Sequence, residues 1–134
     1  MIQESIEFRV RYAETDQMGF VYYGNYAQYF EIGRVEALKK VGLSYRDLEE
    51  SGIMLPVMDL NIQYKKAAKY DDLIRVETTI PEMPTNRIKF EYLIYREEEL
   101  LASGSTTLFF MEKETGRPIR PTEDFINRLK PHYN

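Results

Sequence analysis

The residues best able to do chemistry lie in one short stretch, Arg11-Tyr-Ala-Glu-Thr-Asp16-Gln-Met-Gly19-Phe-Val-Tyr-Tyr23-Gly-Asn25-Tyr26. It sets Asp16 beside two glycines and a cluster of aromatic residues, ahead of a helix start. A carboxylate facing a helix N-terminus can attack an electrophile or activate water. The first amides of the helix can then bind the negative charge that develops. The same pattern has a plainer reading, because an Asp after Thr in a glycine-containing loop often caps a turn and does nothing else.

The rest of the composition narrows the choices. The chain has no cysteine, which removes disulfides, thiol nucleophiles and thiolate metal sites together. Its one histidine, His132, lies two residues from the end of the sequence. A Ser-His-Asp triad or a multi-histidine metal site within one chain is therefore not expected. Catalysis is left to carboxylates, hydroxyls, amides and basic side chains, with no metal or redox cofactor. The net charge is 18 − 22 = −4, which argues against a general nucleic-acid binder. The start, Met1-Ile-Gln-Glu-Ser-Ile-Glu, is polar and acidic, unlike a secretory signal, and no run reaches transmembrane length. A cytoplasmic protein without membrane insertion is expected.

The elements that must position Asp16 can be read from periodicity. With 134 residues, 43% of them hydrophobic, the chain suits a single domain, 1–134, with a core of its own. Ile6, Phe8, Val10 and Tyr12 alternate with polar residues, which predicts a half-buried strand ending at Ala13. Asn25 is placed to cap a helix running to about Val41, with Tyr26, Phe30, Gly33, Ala37 and Val41 on one stripe. Ile32, Val35 and Leu38 lie off that stripe, so the helix is expected to be wrapped by other structure. Ser44 to Asp47 resembles a capping box, opening a short helix that ends near Gly52. Four further strands follow, through Met58–Tyr64, Ile74–Ile80, Ile88–Ile94 and Ala102–Met111. Their short separators permit antiparallel neighbours and leave no room for crossover helices. Thr122 caps a last helix, stopped by Pro131. The expected class is α+β: one antiparallel sheet with one long, mostly buried helix and a C-terminal helix.

The first motif, continued by Phe30-Glu-x-Gly-Arg34, resembles the signature of hotdog-fold acyl-CoA thioesterases, and more narrowly the 4-hydroxybenzoyl-CoA thioesterase family. Asp59-Leu-Asn-Ile-Gln-Tyr-Lys-Lys-x-Ala-x-Tyr-Asp-Asp72 is similar to a second family segment. The resemblance covers nearly the whole chain. It implies a sheet wrapped around a central helix, homodimers joined edge to edge and often paired into tetramers, and an active site at the dimer interface. It implies hydrolysis of a short-chain or aromatic acyl-CoA thioester. Asp16 matches the catalytic carboxylate, as nucleophile or as base on water. The backbone N–H of Tyr23 matches the oxyanion donor; removing one such donor costs about 3 kcal/mol in hydrolases. Many relatives have histidine at the position of Tyr23. Tyrosine, with a reference pKa near 10, is a poor base at neutral pH, so no step can lean on an imidazole there.

The resemblance further implies a substrate site that includes Gly19, Val21, Asn25, Tyr26 and Glu31. Tyr26 is open to a core reading as well, and Glu31 to a salt bridge with Arg34 at i,i+3. Two basic groups, Lys65/Lys66/Lys69 and Arg87/Lys89, are candidates for the coenzyme A phosphates, with Arg87 favoured. Such groups are usually only a solvated face. Two other functions fit parts of the pattern. One is a hotdog domain that binds acyl-CoA or acyl-carrier protein without hydrolysis, against which Asp16 argues. The other is a hotdog dehydratase, which uses a histidine that this chain lacks near the motif.

Overall fold

Alternation fixes the sheet. Ile74, Val76, Thr78 and Ile80 are buried while their neighbours are not, and Ile88, Phe90, Tyr92 and Ile94 repeat the pattern. In the computed structural model, which describes Met1–Asn134 throughout, these residues form one face of an antiparallel sheet. The chain runs β1 (Ile2–Arg9), α1 (Tyr26–Lys40), α2 (Tyr45–Glu50), β2 (Ile53–Met54), β3 (Val57–Tyr64), β4 (Leu73–Ile80), β5 (Arg87–Arg96), β6 (Glu99–Phe109), β7 (Met111–Glu112) and α3 (Glu123–Leu129). Five strands lie in the order β1-β4-β5-β6-β3, and β2 pairs with β7 in a separate ribbon. That short ribbon has no counterpart in the sequence reading, because two-residue strands leave no period to detect.

Helix α1 packs on β1, β4 and β5. Its contact side is Tyr26, Tyr29, Phe30, Gly33, Arg34, Ala37 and Leu38, all buried. Gly33 permits the close approach: a Cβ there would stand 2.2 Å from Thr78 Oγ1 and 2.9 Å from Val76 Cγ1. The Phe30 ring stacks on Tyr92, centroids 4.2 Å apart. Gln28 and Glu31 are not buried, so the sheet covers one side of the helix rather than surrounding it. The caps fall where the sequence puts them. Ser44 Oγ accepts from the Asp47 amide at 3.0 Å, and Thr122 Oγ1 accepts from the Phe125 amide at 3.2 Å.

One strand reading needs correction. β1 ends at Arg9, and Tyr12 is not an inward strand residue; it opens a 3₁₀ turn, Tyr12–Glu14, and is 77% exposed. β3 has the expected position, and Met58, Leu60 and Tyr64 on it are exposed. β3 is the sheet edge farthest from β1, and α1 packs mainly on β1 and β4, with Phe30 reaching Gly104 on β6. Leu60, Ile62 and Tyr64 pair with Thr106, Gly104 and Ala102, so they point to the helix side; the Tyr64 ring meets Tyr26 of α1 at 5.1 Å and Ile62 is partly buried, but Leu60 is left exposed.

Candidate active site

The segment between β1 and α1 folds back on itself. Thr15 and Val21 face each other as an isolated bridge. Inside it, the Asp16 amide donates to the Phe20 carbonyl at 2.8 Å and the Gly19 amide to the Asp16 carbonyl at 3.0 Å. Gly19 has φ +81°, a conformation that a side chain at this position would strain. The loop is backed by residues 68–70. The Val21 amide donates to the Ala68 carbonyl at 2.8 Å, Phe20 bridges to Lys69, and the Tyr70 amide reaches the Gly19 carbonyl at 3.3 Å.

Asp16 is exposed, and its two oxygens differ. Oδ1 accepts from the Met18 amide at 2.9 Å and the Phe20 amide at 3.2 Å. It therefore does cap its own turn. Oδ2 has no partner in the chain.

Across the bridge, Tyr23–Asn25 form a 3₁₀ turn before α1 begins. Asn25 sits at the cap position, but its side chain does not cap the helix as expected. Its Nδ2 donates instead to the Glu14 carbonyl at 2.8 Å, because the 3₁₀ turn already supplies the entry to α1. The Tyr23 and Gly24 amides, first in that turn, find no acceptor within the chain. The Tyr23 carbonyl accepts from Tyr64 Oη at 3.0 Å, tying the turn to edge strand β3. The Tyr23 ring is 64% exposed and lies 4.6 Å from that of Tyr22. Burial raises the phenol pKa of Tyr26 and Tyr64, and a hydrogen bond to Tyr23 raises that of Tyr22. These phenols stay protonated at neutral pH and supply no base.

The remaining candidates are spread more widely. Val21 and Tyr26 are buried in the core, and the Tyr26 hydroxyl accepts the Ala68 amide at 3.2 Å. Glu31 is exposed, 3.9 Å from Arg34. Arg34 itself is buried, and its Nε donates to Tyr45 Oη at 2.8 Å. Burial works against its charge, but the hydroxyls of Tyr45 and Tyr92 outweigh this and raise its pKa. Lys66 is paired with Glu99 at 2.6 Å, and Lys69 lies over the Phe20 ring at 5.8 Å. Lys65, Lys69 and Lys89 are paired with no carboxylate, and neither are Arg87 and Arg120. Together with Phe109, Ile119 and Met58 the two arginines line a cleft of about 450 Å³. Asp16 and Tyr23 do not line it.

One residue at the centre of this geometry was passed over in the sequence. Glu14 is 7% exposed, and its side chain and carbonyl both bond to the site's segments. A glutamate two residues before a more conspicuous acid, in a polar loop, gives no sign of burial.

A model of the thioesterase-like superfamily matches residues 10–129, which takes in the loop, α1 and every strand of the main sheet except β1. The chain belongs to this superfamily. The Bacillus subtilis (strain 168) protein YneP, provisionally named an acyl-CoA thioesterase, is 39% identical over 115 residues, 85% of this chain and 83% of YneP. The crystal structure of a DHNA-CoA thioesterase from Staphylococcus aureus superposes with a TM-score of 0.93 at 38% identity, covering 98% of this chain and 91% of that one. A 4-hydroxybenzoyl CoA thioesterase superposes at 0.85 over 96% of this chain and 99% of its own, at 22% identity, which shows the shared fold. The hotdog fold and the thioester-hydrolase class expected from the sequence both stand.

Proposed function

We propose that this thioesterase-superfamily chain, one hotdog domain over residues 1–134, hydrolyses a short-chain or aromatic acyl-CoA to the free acid and CoA. The observation that carries the reading is local. One loop presents a carboxylate oxygen with no partner, and the turn just across its bridge presents two amides with none. In the nucleophilic route, Asp16 Oδ2 attacks the carbonyl carbon and the C–S bond breaks. CoA leaves as thiolate, and water cleaves the mixed anhydride to release the acid and restore the carboxylate. In the general-base route, Asp16 takes a proton from water as the oxygen attacks, and the departing thiolate recovers it. In both, the carbonyl oxygen gains charge and the Tyr23 amide donates to it. The test is a panel of acyl-CoA thioesters with free-thiol detection. Release of CoA from an aryl or short acyl substrate is expected. Tight acyl-CoA binding with no turnover on any member would support the non-hydrolytic alternative, which the capping role of Oδ1 alone would suit.

Because the donor is a backbone amide, Tyr23→Phe should change kcat by less than about threefold, and a larger loss would bring the phenol into the reaction. The unpaired Arg87 suits a phosphate of coenzyme A, beside Arg120. Losing one charge-assisted bond costs about 1.5–3 kcal/mol. Arg87→Ala should therefore raise KM for acyl-CoA roughly tenfold or more with kcat unchanged. The KM for the matching acyl-pantetheine, which lacks the nucleotide, should not move.

Self-association belongs to the same reading. The exposed Leu60 and the unpaired edge of β3 favour a homodimer paired at this edge, with tetramers built from it. No helix is long and apolar enough to cross a membrane, which agrees with a cytoplasmic location.

A further inference from the structure

We propose that Glu14 is a positioning residue: its buried carboxylate and its carbonyl hold the Asp16 loop and the Tyr23 turn in fixed relation to α1. This rests on the reading of Asp16 and Tyr23 given above and goes beyond it to what keeps them apart at a working distance.

Every acceptor of the residue is used. Oε1 accepts from the Arg11 amide at 2.8 Å and from Tyr29 Oη at 3.0 Å. Oε2 accepts from Arg11 Nε at 3.2 Å and Nη2 at 3.1 Å. The carbonyl oxygen accepts from the Tyr22 amide at 2.9 Å and from Asn25 Nδ2 at 2.8 Å. The partners are thus the start of the turn that leads to the acid, the residue before the Tyr23 amide, the residue before α1, and α1 itself. Tyr29 is a firm anchor, fully buried and packed edge-on against Phe8 at 5.2 Å and Tyr26 at 5.8 Å. Burial first, and then the Glu14 carboxylate, push the Tyr29 phenol pKa upward, so it stays a donor.

A three-residue turn on the surface has no need of a buried negative charge, since a neutral side chain can cap it. A reactive loop does need bracing, because groups carried on loops drift unless hydrogen bonds around them lock their geometry, and a displacement of about 1 Å can cost 10²-fold in rate. Glu14 braces both halves of the site from one point, two residues from Asp16.

The test compares Glu14→Gln, Glu14→Ala and Tyr29→Phe with Asp16→Asn in one thioesterase assay, with hydrogen exchange of residues 16–25. Gln keeps the acceptor for Tyr29 but turns an amide toward the Arg11 guanidinium. It should lower kcat about 10-fold, and Ala about 100-fold, with KM within twofold. Tyr29→Phe should resemble Glu14→Gln in size, and the Glu14→Ala/Tyr29→Phe double variant should fall short of the product of its two single losses, since both remove the Glu14–Tyr29 bond. Exchange at residues 16–25 should quicken in each. Folded Glu14→Gln and Tyr29→Phe proteins with wild-type kcat would overturn the proposal, even if their melting temperatures fall. Should Asp16→Asn keep full turnover, the reading of the site itself fails, and the bracing role falls with it. Loss in Asp16→Asn alone would sink the Glu14 role and leave Asp16 standing.

Discussion

Replacing Asp16 by asparagine is expected to lower acyl-CoA hydrolysis by roughly 10²- to 10⁴-fold, the range supplied by a positioned acid or base, while the protein folds and associates as before. The substitution separates the turn cap that Asp16 makes from the catalytic role proposed for it. Asparagine retains an Oδ1 that can accept the Met18 and Phe20 amides, so the turn survives. What it loses is the charge on Oδ2, the oxygen without a partner. Asp16→Ala removes both and should add about 1 kcal/mol of destabilisation from the uncapped amides. If Asp16 were only a turn cap, asparagine would retain activity and alanine would lose it through stability alone. Near-equal loss of turnover in the two, with only alanine lowering the melting temperature, is the expected result. Wild-type turnover in Asp16→Asn would end the assignment. A single-turnover reaction in ¹⁸O-water separates the routes. With enzyme in excess, a nucleophilic route in which water attacks the Asp16 carboxyl carbon leaves the label in Asp16 and an unlabelled product acid, and the general-base route puts the label in the product acid at once.

Local chemistry made much of this site legible in the sequence. Ser44 and Thr122 announce their helices because a hydroxyl three residues before an amide is a complete local interaction. The period of two through Ile74–Ile80 and Ile88–Ile94 survives because those strands have neighbours on both sides and α1 against β4 and β5. Asp16 and the Tyr23 turn were legible as a motif. What stayed hidden depends on partners remote in sequence. Glu14 meets Tyr29 fifteen positions on, and Arg34 meets Tyr45 eleven on, so neither burial leaves a periodic trace. Asn25 has a capping residue's identity but donates to a carbonyl eleven residues back, because a 3₁₀ turn intervenes. In β3 the alternation was legible and its exposure was not. Alternation shows which face is apolar and does not show whether the same chain covers it.

That uncovered face leads to the second large effect: Leu60→Arg should convert the protein to monomers and remove most of its activity. Leu60 is 45% exposed, so the protomer can accept arginine with little loss of its own stability. It lies on the helix side of β3, in a row with Ile62 and Tyr64, where an apolar surface without cover marks an interaction site. Beside it runs an unpaired strand edge, the natural place for a second copy to extend the sheet. A partner seated there buries the guanidinium charge that the variant introduces, which costs several kcal/mol when unpaired. The edge also reaches the chemistry directly. Tyr64, at the end of the same row, donates to the Tyr23 carbonyl, so whatever covers β3 lies against the turn whose amides remain free. Loss of the partner should therefore lower kcat by more than about tenfold and not merely raise KM, since the walls around the thioester go with it. Light scattering with turnover measured across protein concentration checks both halves. A wild-type protein that is monomeric and fully active would refute the shared site, and a Leu60→Arg monomer with normal kcat would leave the dimer without a catalytic role.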